Sequence, residues 1–218
     1  MRYKHIVEGK LILKRNRFIV ICEVEGRREE VHLKNTGRLE NLLLEGNKVY
    51  LEESMNPKRK TKYDLISVVD PYLGIVNIDS QANNTIMKEW LSLQDYDLIK
   101  SEYSYGNSRF DFYMEKDHEK YYLEVKGCTM EKEGIGLFPD AISKRASKHL
   151  RELIELTKQG NHCIIAFVIG MPGIDHVIPY KLDQEFVETF ALAKKAGIEV
   201  WYMVTYTSKD EYRILKRS

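Results

Sequence analysis

Cysteine is rare in this chain of 218 residues, and no long apolar run occurs. Cys22, Cys128 and Cys163 are odd in number and far apart, which argues against a disulfide scaffold. Each lies in or beside an apolar segment and reads as a buried thiol in a reducing compartment. The chain has no C-x-x-C pair, and its six histidines fall into no metal-ligand spacing, so a structural zinc module is excluded. No stretch approaches 18 consecutive apolar residues, and the first ten residues lack the apolar run of a secretory signal. The expected location is the cytoplasm, with no membrane partner. Phosphate-cradling glycine loops are also missing. Residues 131–137 have neither the lysine placement of a nucleoside-triphosphate loop nor the dinucleotide glycine pattern. That loop is expected instead to shape the entrance to a site. There is no helix-turn-helix signal. A net charge of only +1 supplies no global attraction to nucleic acid.

What is present is a globular balance of 43% apolar and 31% charged residues, enough for one large domain or two small ones. The charges are unevenly placed. Residues 1–79 carry 15 Lys/Arg against 12 Asp/Glu, and residues 80–218 carry 19 against 21. Cations gather at Lys10, Lys14, Arg15 and Arg17, at Lys58, Arg59, Lys60 and Lys62, and at Lys144, Arg145, Lys148, His149 and Arg151. Such clusters suit phosphate contacts and are equally common on solvated faces.

Short apolar stretches at 17–25, 29–33, 48–52, 63–69 and 74–78 alternate with turn residues at Gly26, Gly37, Gly46 and Pro71. Residues 39–43 read as a short helical or irregular piece. Five or six short strands in this third predict a small barrel, most plausibly OB-like; a twisted sheet extending a second domain is the alternative. The polar stretch 80–85 predicts a boundary, hence domains at 1–79 and 80–218. Beyond it come a short helix from 86, strands at 108–114 and 121–126, and a helix after Pro139 with its stripe at 142, 146, 150, 153, 154 and 157. A continuous apolar run at 163–169 reads as a fully buried strand. A helix at 183–196 and a strand at 198–206 complete an α/β domain.

Asp111, Glu124 and Lys126 lie in the two strands before Pro139. Glu124 and Lys126, two apart, share one face of an extended strand, while Phe110 and Phe112 are expected together on the face opposite Asp111. Two carboxylates suit a hard divalent cation such as Mg2+ or Mn2+, with the Val125 carbonyl as a further ligand. A lysine beside them can orient or help activate water and offset charge at a phosphorus centre. The same residues are also compatible with ordinary strand decoration. Asp111 in an otherwise aromatic strand runs against strand propensity, and Gly127 permits a close backbone approach. Glu102 is an equally weighted choice between a third ligand and a surface residue. On the following helix Arg145, Lys148 and His149 share a broad face, with Arg145 or His149 the candidates to meet a phosphate.

The ordered segments Leu13-Lys14-Arg15-Asn16-Arg17-Phe18, His32-Leu33-Lys34-Asn35-Thr36-Gly37-Arg38-Leu39, Lys58-Arg59-Lys60-Thr61-Lys62-Tyr63, Ser108-Arg109-Phe110-Asp111-Phe112, Glu124-Val125-Lys126-Gly127 and Phe138-Pro139-Asp140-Ala141 resemble the sugar fermentation stimulation protein A family. The resemblance spans nearly the whole chain. It implies DNA binding, an N-terminal OB-like domain and a C-terminal domain similar to PD-(D/E)XK nucleases, with Asp111, Glu124 and Lys126 matching the nuclease core. Asn83-Asn84 departs from the family's proline-asparagine, a change expected to touch only a connector. Arg15, Arg17, Arg38, Lys58, Arg59, Lys60, Arg145, Lys148 and His149 are the expected nucleic-acid contacts. Among the aromatics, Phe18, Tyr50 and Tyr63 are candidates for contacts with single strands, with a place in the core as the alternative for each and the favoured one for Phe18. The leading expectation is a DNA-binding protein with a nuclease-like domain, a Mg2+/Mn2+-dependent phosphodiesterase if it cuts. The alternative is a non-catalytic DNA-binding regulator linked to sugar metabolism. Single- and double-stranded DNA are both open.

Overall fold

The strands of the N-terminal third close on themselves in the computed structural model, which describes residues 1–106 and 108–218. They are β1 (Ile6–Lys14), β2 (Ile19–Val24), β3 (Arg27–Leu33), β4 (Lys48–Glu53), β5 (Tyr63–Asp70) and β6 (Gly74–Asn77), in the sheet order β3-β2-β1-β4-β5-β6. A parallel pairing of β3 with β5, Val31 opposite Tyr63 and Leu33 opposite Leu65, turns the sheet into an OB-like barrel. Closure explains why β5 is buried from Tyr63 to Val68 on both faces. Leu11, Val20, Val31, Leu33, Val49, Leu51 and Leu65 fill the interior. Residues 39–43 form turns rather than a helix, and Leu39 and Leu42 are buried against that core.

The second unit runs α1 (Ala82–Leu91), β7 (Leu98–Tyr105), β8 (Ser108–Lys116), β9 (Glu119–Cys128), β10 (Met130–Lys132), β11 (Ile135–Phe138), α2 (Lys144–Lys158), β12 (His162–Ile169), β13 (Val177–Pro179), α3 (Gln184–Lys195), β14 (Glu199–Thr207) and β15 (Tyr212–Arg217). Its main sheet has the order β15-β14-β12-β9-β8-β7, with β9, β12 and β14 parallel at the centre and antiparallel strands outside. β12 is buried at every residue after His162, as its unbroken apolar run predicts for a strand covered on both faces. One face packs on α1, where Trp90 meets Trp201 edge to face at 5.8 Å. The other packs on α2 and α3, and its apolar cluster is continuous with the barrel core.

The two units are joined by more than the chain. Asn77 N–H donates to the Gly170 carbonyl at 2.9 Å, where β6 ends beside the exit of β12. The first residues also lie on the second unit, with Arg2 bridged to Glu211 and Tyr3 N–H bonded to Asp210. α2 begins at Lys144, because Ser143 Oγ caps it by accepting Ala146 N–H and Asp183 accepts Ser143 N–H. Ile142 therefore precedes the helix and stands exposed, contrary to its expected place in the apolar stripe. Among the described residues no helix is long and apolar enough to cross a membrane.

Candidate functional site

β8 and β9 pair regularly from Lys116–Glu119 to Phe112–Leu123 and then part. At the fork, Asp111 Oδ2 accepts the Val125 N–H at 2.8 Å, so the carboxylate takes the place of a ladder carbonyl. The strand changes its facing there. Phe110 joins the cluster on the α2 side and Phe112 the cluster on the α1 side, which corrects the expectation that both share one face. Asp111 Oδ1 accepts the Asn84 side-chain amide at 2.7 Å.

Glu124 and Lys126 do share a face. Lys126 Nζ donates to Glu124 Oε1 at 2.5 Å, and His149 Nδ1 binds the same oxygen. Arg145 Nε–H points at His149 Nε2 from 3.5 Å, which favours the tautomer with the proton on Nδ1, donated to Glu124. Glu124 is only 3% exposed, and its Oε2 has no hydrogen-bond partner.

The two acids are pushed apart in their titration. Burial and the charge of Glu124 raise the pKa of Asp111 against the bonds from Val125 and Asn84. Burial also opposes ionisation of Glu124, but the charge of Lys126 and the bonds from His149 and Lys126 outweigh it and hold Glu124 below the usual range. A divalent cation fits this pair. It would relieve the repulsion between Asp111 and Glu124 and satisfy the orphaned Glu124 oxygen, whose unpaired burial costs about 1–3 kcal/mol or more. Among the described residues no group of three His, Cys, Asp or Glu is arranged to hold a metal alone. Remaining ligands would come from water or phosphate, the usual way Mg2+ is held beside nucleic acid.

Asn83 and Asn84, expected in a connector away from the core, belong to the site. Asn84 holds Asp111, and Asn83 Oδ1 accepts the Tyr212 hydroxyl at 3.1 Å. A Cβ at Gly127 would lie 2.4 Å from Asn83 Nδ2, so the glycine makes room for a side chain rather than for a backbone. Their signal in the sequence was a pair of amides at the start of a helix that otherwise turns apolar residues inward.

Asp111, Glu124 and Lys126 line a cavity of about 430 Å³ whose walls come from both units, including Arg17, Asn35, Thr36 and Gly37 of the barrel and Asp140, Ser143 and Arg145 before and on α2. Of the loop 131–137 none lines it; that segment pairs in a separate sheet with β13, and only its neighbours Thr129 and Phe138 reach the cavity.

The other expected contacts divide clearly. Arg17 and Arg145 are exposed at the cavity, and Lys148 lies beside Arg109 and Lys144 in an adjoining basic groove. Lys58 and Lys60 are exposed on the barrel. Arg15 pairs with Glu30, and Arg38 stands 4.0 Å from Glu40. Arg59 is held inward by two bonds to Asp64, and His149 is buried on Glu124, so neither presents itself to a phosphate. Glu102 is exposed on β7 and pairs with Arg109 at 3.6 Å, outside the carboxylate pair. Of the three aromatics, Tyr50 and Tyr63 take the core alternative and are buried, while Phe18 is 51% exposed, contrary to the core position favoured for it.

An OB-like barrel joined to an α/β domain of restriction-endonuclease type, with an acid-acid-lysine set at the fork of two strands, defines a class of two-domain nuclease-like proteins. Family models match accordingly: an SfsA N-terminal OB domain over residues 12–78 and a sugar fermentation stimulation protein RE domain over residues 80–211. The chain belongs to the sugar fermentation stimulation protein (SfsA) family. It is 43% identical to a sugar fermentation stimulation protein homolog of Clostridium beijerinckii, over 98% of this chain and 96% of that one. A homolog of Desulfitobacterium hafniense is 42% identical over 96% and 93%. Among solved structures, Pyrococcus furiosus SfsA in complex with Ca2+ superposes with a TM-score of 0.89 and 26% identity, covering 100% of this chain and 96% of that one.

Proposed function

We propose that the chain is a DNA-binding protein of the cytoplasm that uses its nuclease-like domain to hold DNA, in a regulatory rather than a degradative role. The observation that carries this reading is the shared polar cleft. The barrel contributes Arg17 and the α/β domain contributes Lys126 and Arg145 to one cavity, and of the four acids that line it, Asp79, Asp111, Glu124 and Asp140, Asp79 is paired with Lys34 and Glu124 with Lys126. Cations from both units then meet one phosphate backbone, and the exposed Lys148 extends the track into the adjoining basic groove. The family's name, with its reference to sugar fermentation, accords with a regulator, and no sugar-binding arrangement is needed to explain the cleft.

Asp111 and Glu124 are the residues that would hold a Mg2+ or Mn2+ ion, a reading supported by the Ca2+ complex of the related Pyrococcus furiosus protein. Such an ion supplies charge neutralisation at a phosphate and, where cleavage occurs, a more acidic bound water. His149 and Lys126 keep Glu124 ionised and fixed. Asn84 and the Val125 N–H fix Asp111.

Phosphodiester hydrolysis is the second reading, favoured by the orphaned Glu124 Oε2 and by Lys126 beside it. Incubation with single-stranded, duplex and branched DNA, with and without Mn2+, separates the two. The regulatory reading predicts retained DNA and no metal-dependent cut. Cleavage by wild type that Asp111→Ala abolishes would replace it with the enzymatic one.

A further inference from the structure

We infer that the cleft admits a single-stranded DNA end, its terminal base stacked on Phe18 beside Arg17 and its backbone led inward to the carboxylate pair. The inference rests on the DNA-binding reading and names the form of DNA that the site takes.

The geometry of the cleft carries the first half. Glu124 is 3% exposed at the base of a cavity of about 430 Å³. That is near the low end of the volumes that enclose a small molecule, about 300–1,000 Å³. The walls are also bridged. A Cβ at Gly37 would stand 2.3 Å from Asp140 Oδ2, so the barrel loop touches the segment before α2 and a larger residue there would displace the Asp140 carboxylate. The barrel loop is clamped in place. Lys14 Nζ donates to the carbonyls of Gly37 at 3.2 Å and Arg38 at 2.8 Å, and Asn35 donates to the Ile78 carbonyl at 2.8 Å. A flexible single strand reaches a carboxylate so buried more readily than the backbone of a duplex lying on the surface does. Proteins that work inside such pockets take single-stranded or extruded nucleotides.

Phe18 carries the second half. It is the one large apolar side chain of the β1–β2 turn left exposed, next to Arg17 of the cavity wall, whose guanidinium lies 5.6 Å from the ring centroid. The turn is rigid: Asn16 Oδ1 accepts the N–H groups of Phe18 at 2.9 Å and Ile19 at 3.0 Å. The Phe18 carbonyl accepts Leu33 N–H at 2.7 Å, which fixes its backbone to the end of β3, two residues before Asn35 of the cavity wall. A fixed, exposed aromatic with a cation at its face is the platform on which OB-type barrels stack unpaired bases.

The test is fluorescence anisotropy with the full chain and three labelled DNAs of one sequence: a single strand, a blunt duplex and a duplex with a single-stranded tail. The inference predicts that the single strand and the tailed duplex bind more tightly than the blunt one. Phe18→Ala should weaken the first two by about tenfold, the loss expected for one stacked base, and leave the blunt duplex unchanged, whereas Arg17→Ala, which removes a backbone cation, should weaken all three. Phe18→Trp should retain tight binding, and unchanged melting of each variant shows that the fold is intact. Equal affinity for all three DNAs, or indifference to Phe18→Ala, overturns the inference while DNA binding itself stands. Displacement of the strand by an equal concentration of free mononucleotide overturns it in favour of a small-molecule pocket. Failure of every DNA to bind at low salt overturns both readings.

Discussion

Asn84 donates its side-chain amide to Asp111 Oδ1 across 2.7 Å, tying the first turn of α1 to the acid at the strand fork. The bond lowers the Asp111 pKa against the stronger upward push of burial and Glu124. Asn84→Ala should therefore raise that pKa further and weaken divalent cation binding. Loss of one such bond is worth about 1 kcal/mol, or roughly fivefold in affinity. Calorimetric titration with Mn2+ measures it, and an unchanged affinity would detach Asn84 from the site.

His149 matters through Glu124 rather than through DNA. It is buried and bonded to Glu124 Oε1, which also accepts from Lys126. His149→Ala should destabilise the fold by about 1.5–3 kcal/mol, the range for a hydrogen bond to a charged group. Urea denaturation at neutral pH reads the loss. A variant as stable as wild type, with DNA affinity alone reduced, would return His149 to the role of a phosphate contact.

In the barrel, Asp64 joins Arg59, Lys34 and His32. Burial raises its pKa, but the Arg59 bonds and the Lys34 charge prevail and hold it below the ordinary value of 3.8. A lowered carboxylate pKa contributes stability above the unfolded value, and that contribution fades as pH falls through the folded one. Asp64→Asn should thus cost about 2 kcal/mol near neutrality, with the gap to wild type closing below about pH 4. Melting curves across that range test the sign; a gap that widens in acid contradicts it.

Neighbouring cations should behave differently. Lys60 is exposed, whereas Arg59 is spent on Asp64. Lys60→Ala should leave melting unchanged and reduce the salt slope of DNA binding by about one. Arg59→Ala should lower the melting temperature first. A reversed pattern would show that the 58–62 segment rearranges on binding.

Much of this architecture was legible because its strongest signals are local. The unbroken run of β12 and the α2 stripe from Ala146 onward announced a buried strand and an amphipathic helix. The Glu124/Lys126 spacing put both side chains on one face. β1 was missed because its apolar positions are interrupted by Glu8, Gly9 and Lys10, and it bulges between Leu11 and Leu13. β7 and β15 are edge strands, half exposed and rich in polar residues, so they carry little of the periodicity that marks a strand. The roles of Asn84 and His149 were invisible because each depends on contacts 27 and 25 residues away. The core was favoured for Phe18 over a surface contact because an aromatic next to an apolar strand usually faces inward; the β1–β2 turn points this one outward.

The most direct test of DNA binding across both units is a salt titration of affinity by anisotropy, on a tailed duplex, with wild type and Asp111→Ala. Binding that weakens linearly in log affinity against log salt, with a slope reporting several phosphate contacts and with Asp111→Ala still bound, is the predicted result. An absence of binding at low salt, or an affinity indifferent to salt, would contradict it.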